Sequence, residues 1–259
     1  MSTAGKESLH SEQTGWGRRF LDFLLPRTCG FCGARLTLTE HEVCAVCIAR
    51  LPRVQYRPER HGAIERLFWH HLPVVRATSY FYYHTSEVRH AIHEQKYYQR
   101  PQLAEALAAL AAQELTEQCH FFDGIDAIVP VPLHWYRQLR RGYNQSDYIA
   151  RGISSVTGIP VWTDVLRREA STKTQTQFGH FLRKLNVEGA FRLVHPERTA
   201  GRHLLLVDDV LTTGSTLIAC GKALTQCSPD TSVSVFTLAY AGELSDYSEP
   251  LEQLPFDIM

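Results

Sequence analysis

Apolar positions along this chain fall into two kinds of run, short unbroken ones and longer ones with a helical period. Leu204 to Val207 is unbroken, as expected of a parallel strand covered on both faces. Ile125-Asp126-Ala127-Ile128-Val129-Pro130-Val131-Pro132 predicts a second strand, stopped by prolines where a loop must leave the sheet. Val74 to Tyr83, rich in β-branched and aromatic residues, predicts a third. Glu87 to Gln95 and the Ala/Leu-rich stretch Pro101 to Gln118 predict helices, with Pro101 acceptable in a first turn. Further helices are expected from about Asp147 to Val156 and from Leu217 to Leu224. A strand near Val161 to Leu166 and an apolar patch at Ala190 to Val194 flank the polar, basic stretch Thr172 to Asn186. Long stretches of this kind in compact domains tend to be lids or disordered segments.

The chemistry concentrates where the Leu204 to Val207 run ends. Asp208 and Asp209 follow it directly, at the C-terminal edge where open α/β sheets place their ligands. Two neighbouring carboxylates repel, so a fold keeps them together where hydroxyls, a cation or water separate the charges, and a ribose diol is one natural partner. Behind them Thr212, Thr213, Gly214, Ser215 and Thr216 supply consecutive amides and four hydroxyls just before a predicted helix, whose N-terminus would favour a phosphate. Gly214 allows a dihedral that costs other residues more. A plain strand followed by an Asx turn and a Ser/Thr cap accounts for one acid and one hydroxyl, and leaves the second acid and three hydroxyls without a reason.

Four of the seven cysteines fall as Cys29-x2-Cys32 and Cys44-x2-Cys47, eleven residues apart, room for two strands and a turn. Gly30 and Gly33 permit the sharp turn in which both thiolates point inward. Four thiolates close a coordination sphere, so the expected metal is a structural Zn2+, with an iron–sulfur cluster on the same ligands as the other metal reading and buried free thiols as the plain one. His41 is surplus to four cysteines, and Cys119, Cys220 and Cys227 are read as small hydrophobes.

After the cysteine module, Leu51 to Pro73 reads as a connector. The expected organisation is 16–72 for zinc ribbon and connector, 73–242 for the catalytic-type domain and 243–259 for a C-terminal tail. At 259 residues the chain can bury a substantial core. Its 27 basic and 27 acidic residues leave no global attraction to nucleic acid or anionic membrane. Between His134 and Arg192, however, ten Lys/Arg face four acids, a basic region beside the proposed phosphate site. No apolar run approaches a membrane span and no signal peptide is recognisable, so a cytoplasmic location is expected, where reduced cysteines argue against disulfides.

The basic turn after the second strand carries Arg140 and Arg141, which could grip a diphosphate through bidentate guanidinium contacts. Asn144 or Ser146 there could cap the helix that follows. An exposed basic turn with a good cap is the plain alternative.

Residues 206–216 resemble the signature of type I phosphoribosyltransferases, which binds 5-phosphoribosyl 1-pyrophosphate (PRPP). Val129-Pro130-Val131-Pro132, Arg141-Gly142-Tyr143-Asn144-Gln145-Ser146, the spaced set Thr172, Gln175, Arg183 and Asn186, Gly189-Ala190-Phe191 and Val207 to Thr216 together resemble the ComF/GntX family of competence-associated phosphoribosyltransferase-like proteins, whose four-Cys module fits too. The resemblance implies an α/β, type I phosphoribosyltransferase-like fold, a central mainly parallel sheet flanked by helices, with a small N-terminal four-Cys zinc ribbon. It places Asp208, Asp209, Val210, Leu211, Thr212, Thr213, Gly214, Ser215 and Thr216 on PRPP, with Mg2+ as companion. Gln175 and Arg183 join Arg140, Arg141 and Asn144 as pyrophosphate candidates. It also implies work on single-stranded DNA during uptake, alongside DNA-uptake proteins, with Trp135, Tyr136, Tyr143 and Tyr148 available for stacking. The alternative is an active phosphoribosyltransferase that transfers ribose 5-phosphate to an unidentified nucleobase or amine. No side chain stands out as the nucleophile or the base reader.

Overall fold

The computed structural model describes residues 26–59, 62–97, 100–169, 190–226 and 228–242. The chain divides into two compact units, 1–51 and 52–259.

In the first unit the backbone turns tightly around Cys29. Gly33, at φ +70°, donates to the Cys29 carbonyl at 2.9 Å, and the Cys29 amide donates to Ala34 at 2.8 Å. Only an isolated bridge, Thr28 with Arg35, stands where two strands were expected among the described residues. The loop between the cysteine pairs is held instead by side chains. Arg27 donates to the carbonyls of Glu40 (2.8 Å) and Thr37 (3.2 Å), and the Glu40 carboxylate accepts from the amides of Thr37 (2.8 Å) and Ala45 (2.7 Å). Those backbone bonds hold the Glu40 carboxyl below its usual range. Helix α1 (Ala45–Arg50) starts on Cys44 as its cap.

The second unit is built on four parallel strands, β1 (Val74–Tyr82), β2 (Ala127–Pro130), β5 (His203–Leu211) and β6 (Ser232–Tyr240), in the order β1-β6-β5-β2. Leu204 and Leu206 belong to one core cluster with Phe68, Leu72, Leu217, Cys220 and Leu224, while Leu205 and Val207 are equally buried but outside it. The sheet is therefore covered on both faces, which is why β2 and the Leu204 to Val207 part of β5 are unbroken apolar runs. The remaining helices are α2 (Ala63–Arg66), α3 (Ser86–Tyr97), α4 (Pro101–Cys119), α5 (Trp135–Arg141), α6 (Gln145–Thr157), α7 (Pro196–Thr199) and α8 (Ser215–Thr225). Helices α4 and α6 approach closely at Gly152, where a β-carbon would lie 2.2 Å from the Glu105 carbonyl oxygen. A short antiparallel pair, β3 (Leu166–Arg168) with β4 (Phe191–Leu193), flanks the polar stretch 170–189, which lies outside the described residues.

Several elements differ from the sequence expectation. The β5 strand runs on through both acids to Leu211, where the sequence reading had it stop at Val207, because β6 continues to pair with it as far as Leu211 with Tyr240. Of the predicted strand near Val161 to Leu166, only a single parallel bridge between Val161 and Ile128 and then β3 form. Helix α5 and strand β6 were not anticipated. The stretch 52–72 lies in the larger unit, and its residues Val54, Ile64, Phe68 and Leu72 are core.

The order of the sheet creates a crevice. From β2 the chain leads outward to Val161 on one side, whereas from β5 it leads through α8 to β6 on the other. Connections that diverge from two adjacent parallel strands leave an opening at their C-terminal ends, the usual ligand position of such sheets.

Candidate functional site

That opening contains a hollow of about 50 Å³ lined by Asp208, Val210, Leu211, Thr212, Thr213, Gly214, Ser215, Thr216 and Leu217. On a measure where one water needs roughly 10–15 Å³, it has room for a phosphate-sized group. Gly214 sits at φ +74° as the residue before α8, a left-handed conformation that side-chain-bearing residues avoid. A β-carbon there would meet only ordinary contacts at 3.6 Å, so the dihedral and not the space calls for glycine.

Helix α8 has no side-chain cap. Among the described residues, none of the amides from Thr212 to Leu217 donates to another protein group; the first bonded amide is Ile218, to Gly214, at 2.8 Å. The Thr213 and Ser215 hydroxyls lie 2.8 Å apart. The lining holds one carboxylate and no cation, so an anion would be received by amides, hydroxyls and the positive end of the helix.

The two acids do not share one role. Successive side chains on a strand leave opposite faces; Asp208 lines the hollow, and Asp209 does not. The Asp209 amide donates to Asp208 Oδ1 at 2.9 Å, and Ser146 Oγ donates to the same oxygen at 3.1 Å. Beneath lies Cys220, whose thiol burial, and next the nearby Asp208 charge, push well above its ordinary range.

Across the crevice, the start of α6 is tied to the end of β2. Asn144 occupies the cap position, yet its side chain does not accept from the helix as the sequence suggested. Its Nδ2 instead donates to the Val131 carbonyl at 3.1 Å and to Asp147 Oδ1 at 2.9 Å. Burial raises the Asp147 carboxyl, against the opposing effects of Asn144 and Arg151. Arg141 donates to Gln145 Oε1 at 3.1 Å, and Arg140 is exposed. Gln175 and Arg183 lie outside the described residues. The sequence marks Ser146 only as a possible cap and gives Gln145 no separate signal; both are 2% exposed.

The α5 surface presents Tyr136 (58% exposed) and Leu139 (77%) beside Arg140. Tyr143 packs edge-on against Tyr148, with ring centroids 5.7 Å apart, and Arg151 lies over the Tyr148 ring.

In the first unit the ligand sulfurs of Cys29, Cys32, Cys44 and Cys47 all lie within 4.8 Å of one another. Cys32 Sγ is 3.8 Å from Cys44 Sγ, matching the roughly 3.8 Å between two sulfurs each about 2.3 Å from one tetrahedral ion. Amides of Cys44 and Cys47 donate to the sulfurs of Cys29 (3.3 Å) and Cys44 (3.4 Å). Burial works against ionising Cys29, but the amides of Cys32, Cys44 and Phe31 outweigh it and bring the thiol to about 7. Burial and crowding raise Cys44 and Cys47. The set could hold a metal ion, and His41 is not part of it.

Residues 93–249 match the phosphoribosyl transferase domain model, and the chain belongs to that family. Within it, the chain is similar to the DNA utilization protein YhgH of Salmonella typhimurium, 33% identical over 211 residues that cover 77% of this chain and 91% of the relative. It is also similar to competence protein F of Haemophilus influenzae, 42% identical over 100 residues, 38% of this chain and 44% of that one. Among solved structures, glutamine PRPP amidotransferase from B. subtilis complexed with ADP and GMP aligns at 22% identity and a TM-score of 0.38, over 56% of this chain and 30% of that chain. Among the described residues, no helix is long and apolar enough to cross a membrane.

Proposed function

We propose that this protein binds PRPP or a ribose phosphate together with Mg2+ at the β5–α8 hollow, and that it serves DNA uptake by handling single-stranded DNA. The observation that carries the ligand reading is the set of unengaged amides from Thr212 to Leu217 facing a hollow with Asp208 on its wall. A terminal phosphate would take those amides and the four hydroxyls, and the ribose hydroxyls would meet Asp208, with Asp209 as its strand neighbour. Arg141 is the cation for the diphosphate. Asp208 is the carboxylate of the lining that would help hold Mg2+, and the ion would supply positive charge to offset the ligand's phosphates. The four cysteines would hold a structural Zn2+, since four sulfurs leave no open position.

The DNA part rests on the names of the relatives and on the exposed Tyr136, Leu139 and Arg140 of α5, a pairing of ring and cation suited to stacking on single-stranded bases. The second reading is an active transferase. The serine-held Asp208 favours it, because a carboxylate fixed beside the ribose would stabilise a ring that gains positive charge as pyrophosphate departs.

Titration of PRPP with Mg2+ into wild type and Asp208→Asn/Asp209→Asn tests the site, with single-strand binding followed at two salt concentrations. The expected result is PRPP binding lost in the variant and DNA binding retained. Wild type that takes up no PRPP removes the ligand reading. Pyrophosphate release with a supplied base or amine decides for the transferase.

A further inference from the structure

We infer that Gln145 and Ser146 are positioning residues that set the diphosphate cation and the ribose carboxylate in register with each other. The inference rests on the ribose-phosphate reading above and adds to it two residues that are not themselves part of the hollow's lining. They are consecutive in the first turn of α6, so one rigid backbone segment carries both contacts: Gln145 to Arg141 at 3.1 Å, and Ser146 to Asp208 at 3.1 Å. That segment is anchored to the end of β2 by Asn144 on the Val131 carbonyl. Arg141 and Asp208 are 67 positions apart in sequence and sit on different elements, yet their orientations are fixed from a single point.

Gln145 adds a directional argument. A guanidinium can only donate, so the Gln145 oxygen must face Arg141 and the amide nitrogen is the atom left over. That nitrogen is buried and has no hydrogen-bond partner among the described residues. A buried donor without a partner is uncommon in a folded protein. Held beside Arg141, it is placed to donate to the same oxyanion that Arg141 receives, which turns one cation into a two-group clamp for a diphosphate. Ser146 acts differently: with the Asp209 amide it gives Asp208 Oδ1 two donors, which fixes the carboxylate against rotation.

The two contacts predict separable effects on two ligands, PRPP and ribose 5-phosphate, the latter lacking the diphosphate. Gln145→Glu keeps an oxygen for Arg141 but loses the donor, and should weaken PRPP about tenfold or more while changing ribose 5-phosphate less than about threefold. Ser146→Ala should weaken both ligands by a similar factor, and Ser146→Thr, which keeps the hydroxyl, should restore both. A merely structural role for Gln145 would move both affinities together. Gln145→Met, read with a melting curve, provides a second variant whose PRPP preference should collapse toward that for ribose 5-phosphate. If wild type binds PRPP and Gln145→Glu binds it equally well, this inference is overturned and the ribose-phosphate reading stands. If wild type binds neither ligand, both fall.

Discussion

Gly152 lets helices α4 and α6 meet backbone to backbone at Glu105: a β-carbon on Gly152 would lie 2.2 Å from the Glu105 carbonyl oxygen and 2.9 Å from the Ala108 β-carbon. Helix α6 can therefore lie flat on α4, and this packing sets the height at which the first turn of α6 reaches the crevice. Gly152→Ala should gain roughly 1 kcal/mol in helix propensity. It should lose more, because a backbone oxygen cannot rotate away and overpacking of this kind costs about 1–3 kcal/mol, occasionally more. Urea unfolding should show a net loss of about 1 kcal/mol, the overpacking cost less the propensity gain; a variant more stable than wild type would mean the helices part at no cost.

How much of this was readable beforehand depends on whether the signal was local. The apolar run before Asp208 and the hydroxyl-rich turn after it are contiguous, so strand, loop and helix α8 emerged from the sequence. The pairing of Cys29 and Cys32 with Cys44 and Cys47 was likewise a matter of spacing, and the sulfurs do converge. Ser146 was hidden because its partner Asp208 is 62 residues away, and a polar residue in a first helical turn reads as a cap until the opposite strand is in place; Gln145, though only four residues from Arg141, shows its role only once its burial is known. The β5 boundary was misplaced because two acids look like the end of a strand, whereas pairing with β6 carries the ladder past them. Strand β6 itself mixes Ser232, Ser234 and Thr237 with apolar residues, which hides a central strand. Inside the sheet those hydroxyls find partners, Ser234 with His203 at 2.9 Å and Thr237 with Ser79 at 2.5 Å.

His203 opens β5 at the far end of the sheet, with its ring nitrogens bonded to the Gly124 carbonyl (3.1 Å) and Ser234 Oγ (2.9 Å). Burial, then the Arg76 charge, lower its proton affinity; the Gly124 carbonyl and Asp126 pull the other way without prevailing. A histidine with a depressed folded pKa binds protons more readily once unfolded, so stability should fall as pH drops through the unfolded value near 6.5. Asp126 also loses its stabilising contribution in acid, but in a window below its ordinary carboxylate value, because the His203 amide and Arg202 hold it down. The two contributions are thus separated along the pH axis. His203→Gln, which can still bond Ser234, should flatten the stability profile between about pH 5 and 7. An unchanged slope there would assign the effect to another histidine.

The cysteine cluster makes the last prediction, and its argument is electrostatic. Four thiols within 4.8 Å of one another cannot all ionise unaided: the amides lower Cys29, but burial raises Cys44 and Cys47. A divalent ion removes the conflict by neutralising the charge, and metal binding is then coupled to the order of this unit and to proton release. Regular structure in the unit is sparse, since among the described residues its elements are one isolated bridge and the six-residue α1, joined by turn hydrogen bonds, the contacts of Arg27 and Glu40 and a few buried apolar side chains such as Phe31 and Leu36. Purified protein should contain close to one zinc per chain by elemental analysis, falling sharply in Cys44→Ser, whose hydroxyl can still cap α1 and so isolates the loss of the metal ligand. Chelation should expose the amides of Cys44 and Cys47 to hydrogen exchange, and affinity should weaken as pH falls and protons compete for the sulfurs. Full amide protection after chelation, with the metal gone, would show that the thiols pack as a small core and that the ion is dispensable.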